Sequence, residues 1–60
     1  MDKIRLLIVS DYRLTRTGLR QMLNLIADFE VVAETDNPAQ VKAIVERSAP
    51  AVILFEITVP

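Results

Sequence analysis

Two stretches of the chain are apolar without interruption, residues 6–9 and 49–55. Short runs rich in branched side chains suit strands buried on both faces of a parallel sheet. They predict strands over residues 4–9 and 51–55. A weaker strand is predicted at residues 30–34, where Val31, Val32 and Ala33 are bracketed by Glu30 and Glu34; charges of this kind mark a sheet edge. Between the strands the apolar period changes to that of a helix. Over residues 13–27, Leu14, Gly18, Leu19, Met22, Leu23, Leu25 and Ile26 share one half of the helical wheel, and Arg13, Arg16, Thr17, Arg20, Gln21 and Asn24 share the other. Gly18, inside the apolar stripe, predicts a close approach of helix to sheet rather than a ligand contact. A second helix is predicted over residues 38–48. Asn37 can cap it, Pro38 suits its first position, Gln40 can reach back in a capping box, and Pro50 stops it. Val41, Ile44, Val45 and Ser48 share its inner face, with Lys42, Glu46 and Arg47 outside.

The order β-α-β-α-β predicts an α/β fold with parallel strands and right-handed crossovers. The first strand is the most apolar early segment and belongs in the centre, with the weak second strand at an edge. The spatial order is then 2-1-3. No repeat, linker or low-complexity segment interrupts the pattern.

Composition narrows the possibilities. A chain of sixty residues buries only about 60% of the surface its unfolded state exposes. Small proteins usually compensate with disulfides, metals or association. There is no Cys and no His, which excludes disulfides and the common zinc sites. With 52% hydrophobic residues and one Gly, the chain is expected to be folded, and self-association is the expected remedy. A net charge of −1 makes no electrostatic case for nucleic acid or a membrane. The arginines at 13, 16 and 20 read as a solvated face. No apolar stretch approaches a bilayer span, and the first residues lack the apolar core of a signal peptide. A cytoplasmic location is expected.

Candidate chemistry lies where the strand order reverses, beyond the carboxyl ends of the first and third strands. Ser10-Asp11-Tyr12 leaves the first, and Glu56-Ile57-Thr58-Val59-Pro60 follows the third. Asp11 and Glu56 would face one another there, and two carboxylates with carbonyl and water oxygens can hold a hard cation such as Mg²⁺. On spacing alone the pair reads equally well as a cation site and as a helix cap beside a solvated acid. No Gly-rich phosphate loop and no nucleophile–base pair is present, so an enzyme is not expected. Tyr12, Met22, Phe29 and Phe55 carry no required chemistry; the last three read as core.

The segment Leu-Leu-Ile-Val-Ser-Asp-Tyr (6–12), followed by Leu-Thr-Arg-Thr-Gly-Leu-Arg-Gln-Met-Leu (14–23), resembles the opening of response regulators of the NarL/FixJ type. Val-Val-Ala-Glu-Thr-Asp-Asn (31–37) and Val-Ile-Leu-Phe-Glu-Ile-Thr-Val-Pro (52–60) resemble later segments of the same family in register. The resemblance implies a flavodoxin-like receiver half-domain over residues 1–60. In receivers an acidic pair and a strand-3 aspartate hold Mg²⁺, and that aspartate accepts a phosphoryl group from a histidine kinase. By position, Asp11 is the second acid, Ser10 stands for the first, Glu56 stands for the acceptor, and the Thr58 carbonyl is the backbone ligand. Tyr12 stands where the family commonly has His.

Two departures change what the resemblance implies. Ser10 removes a charge from the metal site, and Glu56 is a methylene longer than Asp; misplacement by about 1 Å costs roughly a hundredfold in such reactions. Mg²⁺ binding is therefore expected to be weak and conventional phosphorylation absent. The family's later Thr/Ser and Lys, and its DNA-reading domain, have no counterpart in residues 1–60, so this stretch is expected to complete no switch and to read no DNA by itself. The expected function is a degenerate receiver module of a transcriptional response regulator. The alternative is a self-assembling half-domain without signalling activity. Expected partners are further copies of the chain, through the 51–55 strand edge and the helix faces, and a histidine kinase or the remainder of a parent regulator.

Overall fold

The computed structural model describes residues 2–56. It contains β1 (Ile4–Ser10), α1 (Arg13–Asn24), β2 (Phe29–Thr35), a 3-10 turn (Pro38–Gln40) that runs into α2 (Val41–Ser48), and β3 (Val52–Glu56). The strands are parallel in the order β2-β1-β3. The α/β architecture and the 2-1-3 order match the reading of the sequence. β1 is central because both of its faces are apolar: Leu6, Leu7, Ile8 and Val9 are all buried. Each such side chain contributes about 1.5–3 kcal/mol relative to exposure. The chain crosses from β1 to β2 through α1 and returns from β2 to β3 through α2; right-handed crossovers in opposite directions place α1 and α2 on opposite faces of the sheet. Leu7 and Val9 pack with Ile44 of α2, and Ala33, Val41 and Val45 surround them. Strand alternation turns Leu6 and Ile8 to the α1 side.

The helix ends follow from local hydrogen bonding. Asn37 caps the second helical segment, its side-chain oxygen accepting from the Ala39 N–H at 3.0 Å. Gln40 does not form the expected capping box. Its side-chain oxygen accepts from the Thr35 hydroxyl at 2.8 Å, while the Asn37 N–H donates to Thr35 Oγ1 at 3.1 Å. Thr35 is buried at the end of β2 and offers the nearer partner. α1 stops at Asn24 instead of 27. There the Leu25 and Ile26 N–H groups fall back on the carbonyls of Met22 and Leu23, and the Phe29 N–H on that of Ile26; these tighter bonds turn the chain into β2. Asn24 assists, accepting from the Val31 N–H at 3.0 Å. α2 closes through Ala49, which is left-handed at φ 48°, a conformation that costs a non-glycine residue about 1 kcal/mol. The Arg5 guanidinium covers this end by donating to the Ser48 carbonyl at 2.6 Å.

Three packing expectations are corrected. β3 is not buried on both faces: Val52, Ile53, Leu54 and Phe55 are 36–58% exposed, because among the described residues it has β1 on one side and no helix over it. Phe55 is therefore exposed rather than core, and Met22, on α1, is exposed as well. Gly18 makes no close approach, since a Cβ there would meet nothing within 4 Å. The cause is the rotation of α1, which lays Leu19 and Leu23, both half-buried, towards the sheet. Leu14 and Leu25, at the far edge of the apolar half of the wheel, are 86% exposed. β2 does form an edge, as expected. Its register with β1 shifts between Leu6, beside Val31, and Leu7, beside Ala33.

Candidate functional site at the strand ends

The carboxyl ends of the strands come together as the 2-1-3 order requires. β1 has Thr35 of β2 beside Val9 on one side, and Phe55 and Glu56 of β3 beside Val9 and Ser10 on the other. Ser10 and Glu56 are thus direct neighbours in register, on backbones about 4.8 Å apart. Asp11 leaves β1 one residue further on, and both Asp11 and Glu56 are exposed. Thr58 lies outside the described residues, as do Ile57, Val59 and Pro60.

Ser10 has a different setting from its two neighbours. It is fully buried, and its hydroxyl closes a turn, accepting from the Tyr12 N–H at 3.3 Å and lying 3.4 Å from the Tyr12 carbonyl. A hydroxyl committed in this way adds no ligand. The donor set is then Asp11 and Glu56, and among the described residues no three Asp, Glu, His or Cys side chains converge on a metal position. Mg²⁺ is commonly held by one or two carboxylates with water completing its octahedron. The described residues would fit a weak, largely hydrated ion.

A partly buried ion network beside this site was not legible in the sequence. The polar face of α1 is not simply solvated. Arg16 is only 15% exposed, with Nε 3.9 Å from Glu34 Oε1, and its Nη1 donates to the Ser10 carbonyl at 2.9 Å. Arg20 Nε stands 3.7 Å from Glu34 Oε2, an oxygen that is buried without a hydrogen bond. The wheel held a partial signal: Arg16 sits beside Leu23 and Leu19 at 100° per residue, on the arc that meets the sheet. Its partner Glu34 could not be assigned without the register of β2. A surface depression of about 200 Å³, lined by Arg20, Val31, Val32, Ala33 and Glu34, lies against β2 and includes neither Asp11 nor Glu56. Tyr12 is exposed and extended at the start of α1.

No family model matches the chain, and no solved structure matches it. Curated proteins do. The transcriptional regulatory protein DegU of Brevibacillus brevis is 36% identical over 59 residues, which is 98% of this chain and 25% of that protein. The nitrate/nitrite response regulator protein NarL of Escherichia coli (strain K12) is 31% identical over 55 residues, 92% of this chain and 26% of that protein. A protein-glutamate methylesterase/protein-glutamine glutaminase of Photorhabdus laumondii subsp. laumondii is 32% identical over 60 residues, all of this chain and 17% of that protein. The chain spans about a quarter of the length of the two regulators. No helix among the described residues is long and apolar enough to cross a membrane. Over nearly all its residues the chain is homologous to response regulators of the DegU and NarL type, and its three parallel strands and flanking helices form a flavodoxin-like, receiver-type half-domain.

Proposed function

We propose that the chain is a degenerate receiver module of a two-component response regulator serving transcription, in which Glu56 occupies the acceptor position and conventional phosphorylation does not take place. The observation that carries this reading is the register of β1 and β3, which sets Ser10 beside Glu56 where the strand order reverses. A buried serine and a longer carboxylate replace two aspartates at the place where phosphoryl transfer demands metal charge and in-line geometry. Asp11 and Glu56 would hold Mg²⁺ weakly. The module is not an enzyme in its own right and works in the cytoplasm, with a histidine kinase or the remainder of a parent regulator as partner. Nucleic acid is not an expected target of this stretch, whose net charge is −1 and whose Arg16 and Arg20 stand beside Glu34. The test is an NMR titration of the labelled chain with Mg²⁺ and then beryllofluoride. Asp11 and Glu56 should respond to Mg²⁺ in the millimolar range, and beryllofluoride should add nothing. Saturable beryllofluoride binding, or a stable mass gain of one phosphoryl group from a small phosphodonor, would sink the reading.

The exposed apolar residues of β3, with Leu14 and Met22 of α1 and Leu25 just after it, favour a second reading, a half-domain that pairs with further copies of itself. An apolar strand with one unpaired edge recruits another strand. Sedimentation over a range of concentrations should show association that weakens on dilution; a monomer throughout would remove this alternative.

A further inference from the structure

Arg16 reaches from α1 to the end of β1, where Nη1 holds the Ser10 carbonyl at 2.9 Å, and Glu34 of β2 stands 3.9 Å from its Nε. Ser10 is the register partner of Glu56, and its hydroxyl closes the turn with Tyr12 that carries Asp11. Both carboxylates of the candidate site therefore flank Ser10, one along the chain and one across the sheet, and Arg16 grips the Ser10 carbonyl. We infer that Arg16 is the positioning residue of this site: anchored by Glu34, its fork sets the orientation of the Ser10–Asp11 peptide and so the separation of Asp11 from Glu56. A planar guanidinium presents several donors at fixed angles and can serve a carbonyl and a carboxylate together. A lysine ammonium keeps the charge and the apolar stem but lacks the fork. The effect on cation binding rests on the reading of Asp11 and Glu56 given above; the effect on the turn does not.

The experiment compares the labelled wild-type chain with Arg16→Lys, Glu34→Gln and Arg20→Lys, using Mg²⁺ alone as the probe. Arg20 shares Glu34 but has no bond to Ser10, so its variant reports on general weakening of the network. Before any cation is added, Arg16→Lys and Glu34→Gln should move the amide signals of Asp11 and Tyr12 and leave those of Leu6, Leu7 and Ile8 in place. On titration, Mg²⁺ affinity in Arg16→Lys should fall roughly tenfold, the scale seen when a supporting partner of a metal ligand is lost. Arg20→Lys should match wild type in both readouts. Unmoved Asp11 and Tyr12 signals in Arg16→Lys would overturn the inference. So would an equal effect of Arg20→Lys, or a collapse of signals across the whole sheet in both Arg16→Lys and Glu34→Gln. A wild-type chain that ignores Mg²⁺ would remove the cation reading, and the amide signals would still decide the role of Arg16.

Discussion

Leu7→Ala is expected to leave the chain without a stable fold. Leu7 is fully buried on the central strand, in the cluster with Val9 and Ile44. Deleting a buried leucine side chain costs about 3–5 kcal/mol, from lost transfer energy and the cavity left behind. A single core in a chain of this size rarely supplies more than about 3–5 kcal/mol in total. The loss is thus as large as the stability. Circular dichroism on heating should show a cooperative transition for wild type and none for Leu7→Ala at ordinary temperatures. Leu14→Ala removes the same atoms from a residue that is 86% exposed, and its stability should stay within about 0.5 kcal/mol of wild type. Similar melting of Leu7→Ala and wild type would contradict the packing described for β1.

Ser10→Asp is expected to make stability depend on Mg²⁺. Ser10 is fully buried, and it lies beside Glu56 and next to Asp11. A carboxylate introduced there would lose water, meet two like charges and lose the hydroxyl donor facing the Tyr12 carbonyl. Removing a charge from water without a partner is costly, and an unmet buried polar group alone costs about 1–3 kcal/mol. Without divalent cation the variant should be destabilised by at least about 2 kcal/mol on the same grounds. The third carboxylate also completes a donor set that suits a hard cation. Mg²⁺ at a hundred times its dissociation constant should therefore restore about 2.7 kcal/mol. Ser10→Asn places a neutral side chain of the same shape at this position and should gain no such dependence. Urea unfolding with and without Mg²⁺ reads both effects; a Ser10→Asp chain whose midpoint is indifferent to the ion would refute this account of the site.

The strand-end site was partly legible. Asp11 and Glu56 stood out because they follow the two most apolar runs, and the topology implied by those runs brings their ends together. Ser10 drew attention only through the family resemblance, as the residue standing where an acid is expected. Its burial and its bond to the Tyr12 backbone were not, since a serine at a strand end is equally compatible with solvent. Arg16 and Arg20 read as a polar face because periodicity counts them as polar wherever they point. Their partner Glu34 lies on β2, and no local pattern relates the three residues.

Taken by itself, the order of residues determined the elements and their arrangement. A β1 that is apolar on both faces favours the centre of the sheet, a β2 bracketed by charges tolerates an edge, and Asn37-Pro38 favours a helix start. These outcomes depend on local propensity and on the alternation of polarity, which travel with the chain. Tertiary structure alone decided how α1 is rotated, which leaves Leu14 and Leu25 outside and draws Arg16 inward. It also decided that Gln40 serves Thr35 rather than its own helix start, and that Ala49 takes a left-handed conformation to end α2. In each case the choice was made by a partner remote in sequence or by the closure of a short connection, and the register between strands sets which partners are within reach.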